Sequence, residues 1–323
     1  MEEFPKIFCI GANIESYECM KALVDAQCPI HTLITLPGGE SEGVSDYVDM
    51  HEFCAEHGIK TISTRDVNNP ETIALVAEGN PDYLFTLGWS QIFKKDFISY
   101  FSKFIIGTHP SKLPYGRGRA PLPWTILEGL DESAVSFFKI DTGVDTGQLI
   151  MQIPFAIPKD CYVGELYEIV SDVLSKGFVT LYKQVQANKP FDLEPQSTEN
   201  ISHRAKRTPS DGLIDFKENA DTIEKLIRAV SRPYPGAYGY YKDQRVMFWK
   251  GFIDHENKYH GTIGQILKKN KEGILVQCGK GTIWLQQPTD ENGESLSTKF
   301  FRLGDRIGYQ VQDEIFYLRQ KLK

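Results

Sequence analysis

The sequence predicts an α/β protein, a doubly wound Rossmann-like parallel sheet followed by a small OB-like β-barrel domain. Three observations carry that expectation. To about residue 105, short β-branched or aromatic runs alternate with amphipathic stretches over short connections, the pattern of a parallel sheet wrapped by helices. A polar stretch from Asn188 to Arg207, with Pro190 and Pro195, breaks the chain and marks a domain boundary. Beyond it, five short strand-like runs separated by turn residues fill about a hundred residues, the count of a small OB-like barrel. The domains expected are therefore 1–206 and 207–323.

In order, Lys6 to Ala12 is an apolar buried-strand run, and Glu15 to Gln27 places Cys19, Met20, Leu23 and Val24 at helical spacing. Ile30 to Leu36 is the second strand, closed by Pro37-Gly38-Gly39. A helix from Tyr47 to His57, a strand from Lys60 to Ser63 and a helix from Pro70 to Glu78 follow, then strands at Tyr83 to Leu87 and Phe104 to Thr108. Ser136 to Ile140 and Leu149 to Phe155 read as strands around the turn Asp141 to Gly147, and Val163 to Val185 as a long helix. The second domain opens with a helix from Ala220 to Val230. Its strands are expected at Ala237 to Lys242, Gln244 to Phe252, Thr262 to Leu267, Gly273 to Gln277 and Thr282 to Gln286.

Composition narrows the function classes. No stretch approaches the ~20 apolar residues of a membrane span, and the acidic start MEEFPKIFCI lacks the basic n-region of a secretory signal; a cytoplasmic protein with no membrane partner is expected. Six cysteines (Cys9, Cys19, Cys28, Cys54, Cys161, Cys278) form no CxxC pair, so reduced thiols are expected rather than disulfides or a metal site. The net charge of −7 divides into −11 over residues 1–206 and +4 over residues 207–323. A nucleic-acid partner usually meets a stronger basic field, so the balance argues against one without closing the question.

Ligands of an open parallel sheet lie beyond the carboxyl ends of its strands, and three segments arrive there with chemistry-bearing residues. In Gly107-Thr108-His109-Pro110-Ser111-Lys112, His109 follows a strand directly; a loop histidine is more often a hydrogen-bonded structural residue. Gly116-Arg117-Gly118-Arg119-Ala120-Pro121 reads as a flexible basic loop suited to phosphate, weak support alone. The third is the Asp141–Gly147 turn with Asp145, and Asp is common in Gly-containing turns for structural reasons.

Together, HPSKLP, YGRGRAPLPW and DTGVDTG resemble the formyltransferases that use 10-formyltetrahydrofolate. The resemblance continues through Lys206-Arg207-Thr208-Pro209, Gly212 to Phe216, Ile227 to Val230 and Pro233 to Ala237, nearly the whole chain. The family motif is Asn-x-His followed by an Asp in a DxG-x-DTG turn, so the resemblance implies His109 and Asp145 as catalytic residues. It implies 10-formyltetrahydrofolate as co-substrate, with no metal, near Leu87, Gly88 and Trp89 and in the loop Asp141-Thr142-Gly143. One departure matters: Gly107 stands where the family has the Asn whose amide polarises the formyl carbonyl. Gln91 and Ser90, just past a strand end, are offered as substitutes.

The chemistry expected is attack of a neutral amine on the formyl carbon, with His109 as hydrogen-bond donor or proton shuttle and Asp145 holding the imidazole. The resemblance is nearest to the sugar-nucleotide N-formyltransferases, implying a nucleotide-linked amino sugar as acceptor. Ser111, Lys112, Arg117, Arg119 and Arg207 then belong near it, although Arg119 and Arg207 read equally well as structural. Enzymes of that kind are often homodimers. Methionyl-tRNA formyltransferase is the first alternative, and a non-catalytic folate or nucleotide binder the second. A formyltetrahydrofolate hydrolase would leave the barrel and the arginines without a task.

Overall fold

The computed structural model of the chain describes residues 4–39, 46–256, 258–308, 315 and 318–322. Its contacts form two compact units, Met1–Thr125, Leu130–Lys159 and Glu165–Lys206 in one, and Ile126–Gly129, Asp160–Gly164 and Arg207–Lys323 in the other.

The first unit is built on seven strands: β1 (Ile7–Gly11), β2 (Thr32–Thr35), β3 (Lys60–Ser63), β4 (Tyr83–Gly88), β5 (Phe104–His109), β7 (Glu132–Lys139) and β8 (Leu149–Ala156). They lie in the order β3-β2-β1-β4-β5-β7-β8. The first five are mutually parallel, and β7 and β8 extend the sheet antiparallel. Because the chain winds outward to β3 and returns to place β4 beside β1, the winding direction reverses between β1 and β4, where doubly wound sheets open a crevice. The helices are α1 (Ile14–Asp25), α2 (His51–Glu56), α3 (Pro70–Gly79), α4 (Lys95–Ile98) and α6 (Val163–Gln186).

Local chemistry sets the ends of these elements. The Asn13 side chain accepts from the Ser16 N–H at 3.0 Å and caps α1. Asn69 does the same for α3 through Thr72, and Pro70 takes the first helical position, where no N–H is needed. One sheet face packs Phe8, Ile10, Leu84 and Ile105 against Phe93, Phe97 and Phe101; on the other, Phe85 and Phe137 meet Phe178 of α6. All six cysteines are free and buried.

The basic loop is more ordered than the sequence suggested. Pro121–Glu128 forms a helix, α5, and Arg117–Gly118 is a two-residue strand, β6, paired in parallel with His203–Arg204, β9. Gly, Arg and Pro in a row read as flexibility; the pairing that removes it comes from 86 residues away, beyond any local pattern. The observed α2 is also shorter than the Tyr47 to His57 helix expected.

The second unit carries α7 (Ala220–Val230) and an antiparallel sheet of β10 (Ala237–Tyr241), β11 (Gln244–Ile253), β12 (Ile266–Lys269), β13 (Gly273–Gln277) and β14 (Thr282–Thr289), in the order β10-β11-β14-β13-β12. The third strand begins at Ile266, later than the Thr262 expected. Among the described residues no helix is long and apolar enough to cross a membrane, and no group of three His, Cys, Asp or Glu side chains is gathered for a metal.

Candidate active site

The sequence-predicted residues His109 and Asp145 are brought together. His109 ends β5 and is only 6 % exposed. Its Nε2–H donates to the Gly116 carbonyl at 2.8 Å, while Nδ1 lies 3.7 Å from Asp145 Oδ2. That separation is an ion-pair distance and too long for a hydrogen bond. With Nε2 carrying its proton, the neutral ring presents an open Nδ1 to the carboxylate. Burial holds His109 below its ordinary value and the nearby charge of Arg204 adds to this, against the opposing pull of Asp145 and the Gly116 bond. The ring is therefore neutral at pH 7 and able to take a proton.

Asp145 is held by its backbone and by its neighbours. Its φ is +53°, the left-handed region that Asp tolerates better than most side chains. Oδ2 accepts the Gly118 N–H at 2.8 Å. Behind it, the Gln196 side chain donates to the Asp145 and Gly147 carbonyls, each at 2.8 Å, and accepts from Arg117 Nη2 at 2.7 Å. Gly147 has to be glycine, since a Cβ there would run into the Lys139 carbonyl.

The loop facing His109 is tied down from the far end of the unit. Ser202 Oγ accepts the Gly116 N–H at 2.8 Å, and Arg117 and Arg119 donate backbone N–H groups to the Ser202 and Arg204 carbonyls. The buried Arg204 guanidinium donates to the Pro121 carbonyl and Thr125 Oγ1 and sits 5.5 Å from the Tyr115 ring centre. Gln196, Ser202 and Arg204 were not singled out in the sequence. The one available signal was the polar stretch containing Gln196, which reads as a linker.

Other sequence-predicted residues divide by orientation. Ser111 is fully buried and donates to the Tyr115 carbonyl at 2.9 Å, and Arg117 turns inward to Gln196. Lys112 and Arg119 are exposed, Arg119 donating to the Ser90 carbonyl at 3.2 Å. Gln91 donates to the Arg65 carbonyl and accepts the Val67 N–H at 3.2 Å, so both ends of its amide already join two loop segments. The Asp141 carboxylate accepts from Gly143 N and Thr146 Oγ1 within its own turn, leaving Thr142 and Gly143 exposed. In the second unit, Arg207 donates to the Asp211 carbonyl at 2.9 Å.

At the end of β4, Leu87 is buried, and Gly88 has φ +152°, with Asn13 and Ser16 where a side chain would begin. Two buried donors there, Thr86 Oγ1 and Trp89 Nε1, have no hydrogen-bond partner. At Gly107 a Cβ would lie 2.7 Å from Ile140 Cγ1 and 3.0 Å from Phe138 Cζ. The side chain absent from Gly107 has thus been replaced in space by Ile140.

The sequence model of the formyl transferase family matches residues 42–181, and that of the formyl transferase C-terminal domain matches residues 206–305. A methionyl-tRNA formyltransferase of Ruminiclostridium cellulolyticum is 28% identical over 261 residues, covering 79% of this chain and 82% of that protein. In fold, the chain is similar to an N-formyltransferase from Helicobacter canadensis solved with folinic acid and dTDP-3-aminofucose (TM-score 0.63, 19% identity, 87% of this chain and 99% of that one). It is also similar to WlaRD, a sugar 3N-formyl transferase solved with dTDP and 5-N-formyl-THF (TM-score 0.62, 20% identity, 88% and 98%). Carrying both the N-terminal and the C-terminal domain, this chain belongs to the formyl transferase family and is a formyltransferase.

Proposed function

We propose that the protein moves a formyl group from 10-formyltetrahydrofolate to the amine of a nucleotide-linked amino sugar, with His109 and Asp145 as its catalytic pair. The observation that carries the chemistry is a buried, neutral His109 whose open Nδ1 faces Asp145. The unpartnered donors Thr86 Oγ1 and Trp89 Nε1 at the end of β4 fit a folate, which is rich in acceptors. Leu87, Gly88 and Trp89 would line it there, and the exposed Thr142 and Gly143 would add to it from the turn that Asp141 shapes.

Bound folate supplies an electrophilic formyl carbon. His109 takes the proton that the attacking amine loses, a transfer favoured by a ring kept neutral near pH 7. Asp145 stabilises the imidazolium so formed at Nδ1, a charge-charge interaction strengthened by the site's burial. Gln196 and Arg117 hold the Asp145 turn in place, and Ser111 braces the loop beside it. Lys112 and Arg119, exposed on that loop, are proposed to meet the nucleotide diphosphate.

The acceptor rests on charge. Residues 1–206 carry −11, a poor field for the phosphates of a tRNA and a tolerable one for a single diphosphate. Two proteins similar in fold support the same reading: the Helicobacter canadensis N-formyltransferase was solved with dTDP-3-aminofucose, and WlaRD is a sugar 3N-formyl transferase. Methionyl-tRNA is the second reading, favoured by relatives such as the Ruminiclostridium protein and by the +4 on residues 207–323.

The test is turnover with 10-formyltetrahydrofolate against UDP- and dTDP-linked amino sugars and against methionyl-tRNA, read by product mass. One formyl mass gained on a sugar is the expected result; gain on methionyl-tRNA alone would replace the sugar reading. His109→Asn and Asp145→Asn should each lose most activity while still binding folate, and full activity in either would remove the pair from the mechanism.

A further inference from the structure

The missing amide at Gly107 leaves the formyl oxygen without its expected side-chain donor. Gln91 is engaged at both ends of its amide, so another group has to be sought on the same sheet face. Strands β4 and β5 pair in parallel with Phe85 opposite Ile106. One residue further, the register sets Thr86 beside Gly107, and the Thr108 hydroxyl donating to the Thr86 carbonyl at 3.1 Å holds the strands together there.

Side chains on registered residues of neighbouring strands share a face. Leu84 and Ile105, registered one step earlier, are packed in one core cluster. Thr86 therefore shares a face with Gly107, and His109, two residues along β5, also projects from it. Thr86 is 6 % exposed, and its Oγ1 is one of four buried side-chain polar atoms without a partner among the described residues. A buried hydroxyl left unpaired is destabilising, and such an orphan beside a reacting centre invites a role.

Resting on the formyl-transfer reading above, we propose that the Thr86 hydroxyl donates a hydrogen bond to the formyl oxygen as negative charge gathers on it, in place of the side chain absent at Gly107. His109 takes the proton that the amine loses as its N–C bond to the formyl carbon forms, and returns it to the folate nitrogen as that C–N bond breaks. Thr86 keeps its own proton throughout. Ile140, partly exposed, lies over Gly107.

Thr86→Val, which replaces the hydroxyl with a methyl, and Thr86→Ser, which keeps it, test the proposal. Three readouts are compared with the parent: melting temperature, kcat, and the infrared carbonyl stretch of bound 10-formyltetrahydrofolate labelled with 13C at the formyl carbon, without acceptor. The valine variant should melt at or above the parent, because an unpaired hydroxyl is gone, yet lose about 100-fold in kcat and show a higher stretch frequency. The serine variant should stay within a few-fold of the parent. An unchanged stretch and kcat in Thr86→Val would overturn the proposal, as would a serine variant as impaired as the valine one. A parent that formylates no amine would instead sink the formyl-transfer reading, while the stretch still reports on Thr86.

Discussion

Gly107→Asn restores the family's amide to the sequence but not to the structure. The new Cβ would stand 2.7 and 2.9 Å from Ile140 Cγ1 and Cδ1 and 3.0 Å from Phe138 Cζ, where carbon atoms settle at about 3.5–4.0 Å. The amide adds three further heavy atoms. Phe138 is 4 % exposed and cannot retreat, so Ile140, half-exposed, must yield. Overpacking of this kind costs about 1–3 kcal/mol; with two crowded neighbours, a loss of about 2 kcal/mol is expected, about 3 °C in melting temperature for a chain of 323 residues. Ile140→Ala, only partly buried, should lose about 1–2 kcal/mol, below the range for core Ile→Ala. The double variant should then lose less than the sum by about 1–2 kcal/mol, since one change opens the space the other needs. Urea denaturation followed by circular dichroism closes this cycle. A single Gly107→Asn variant as stable as the parent, or strictly additive losses, would refute the reasoning.

Two further outcomes follow from charge. The Arg204 guanidinium lowers the basicity of His109, so Arg204→Gln should move the acid limb of the kcat/KM profile to higher pH, because the base then protonates more readily; a limb that stays put would deny Arg204 this role. Burial and the neighbouring Asp46 push Glu15 up to about 8, so the folded state binds its proton more tightly than the unfolded chain. The stability this gives is full below about pH 4.5 and lost as pH rises through 8. Glu15→Gln should thus gain on the parent as pH rises from 5 to 9, at ~1.4 kcal/mol per pH unit and by at most about 4 kcal/mol, in thermal melts; a constant difference across that range would contradict the linkage.

The parts of the fold written in short-range pattern were legible. Asn69-Pro70 announces α3, and the β-branched runs of β1, β2, β4 and β5 announce a parallel sheet. His109 and Asp145 were found through the motifs around them and not through periodicity, which says nothing about a side chain at a strand end. What escaped depends on distant partners. Arg117 and Gly118 look like a loose loop until His203 and Arg204 pair with them, and two-residue strands have no alternation to detect. Gln196 carries no local sign that its amide will join the Asp145 turn to Arg117. The capture of the Gly107 space by Ile140 is equally silent, since a glycine's neighbours are set by the turn that folds Ile140 over it.

The short β6–β9 pairing also bears on when the protein becomes competent during its synthesis. Gly116 and Ser202 are separated by 86 residues, and the wall that holds the His109 ring is unfinished until the later of the two has emerged from the ribosome. A nascent chain released before Gln196 would carry His109 and Asp145 with neither the turn nor the loop anchored. A single nick in the stretch between Asn188 and Ile201 would cut the same tether in the finished molecule. A protease reaching that stretch would release the loop and the turn without touching His109 or Asp145 themselves.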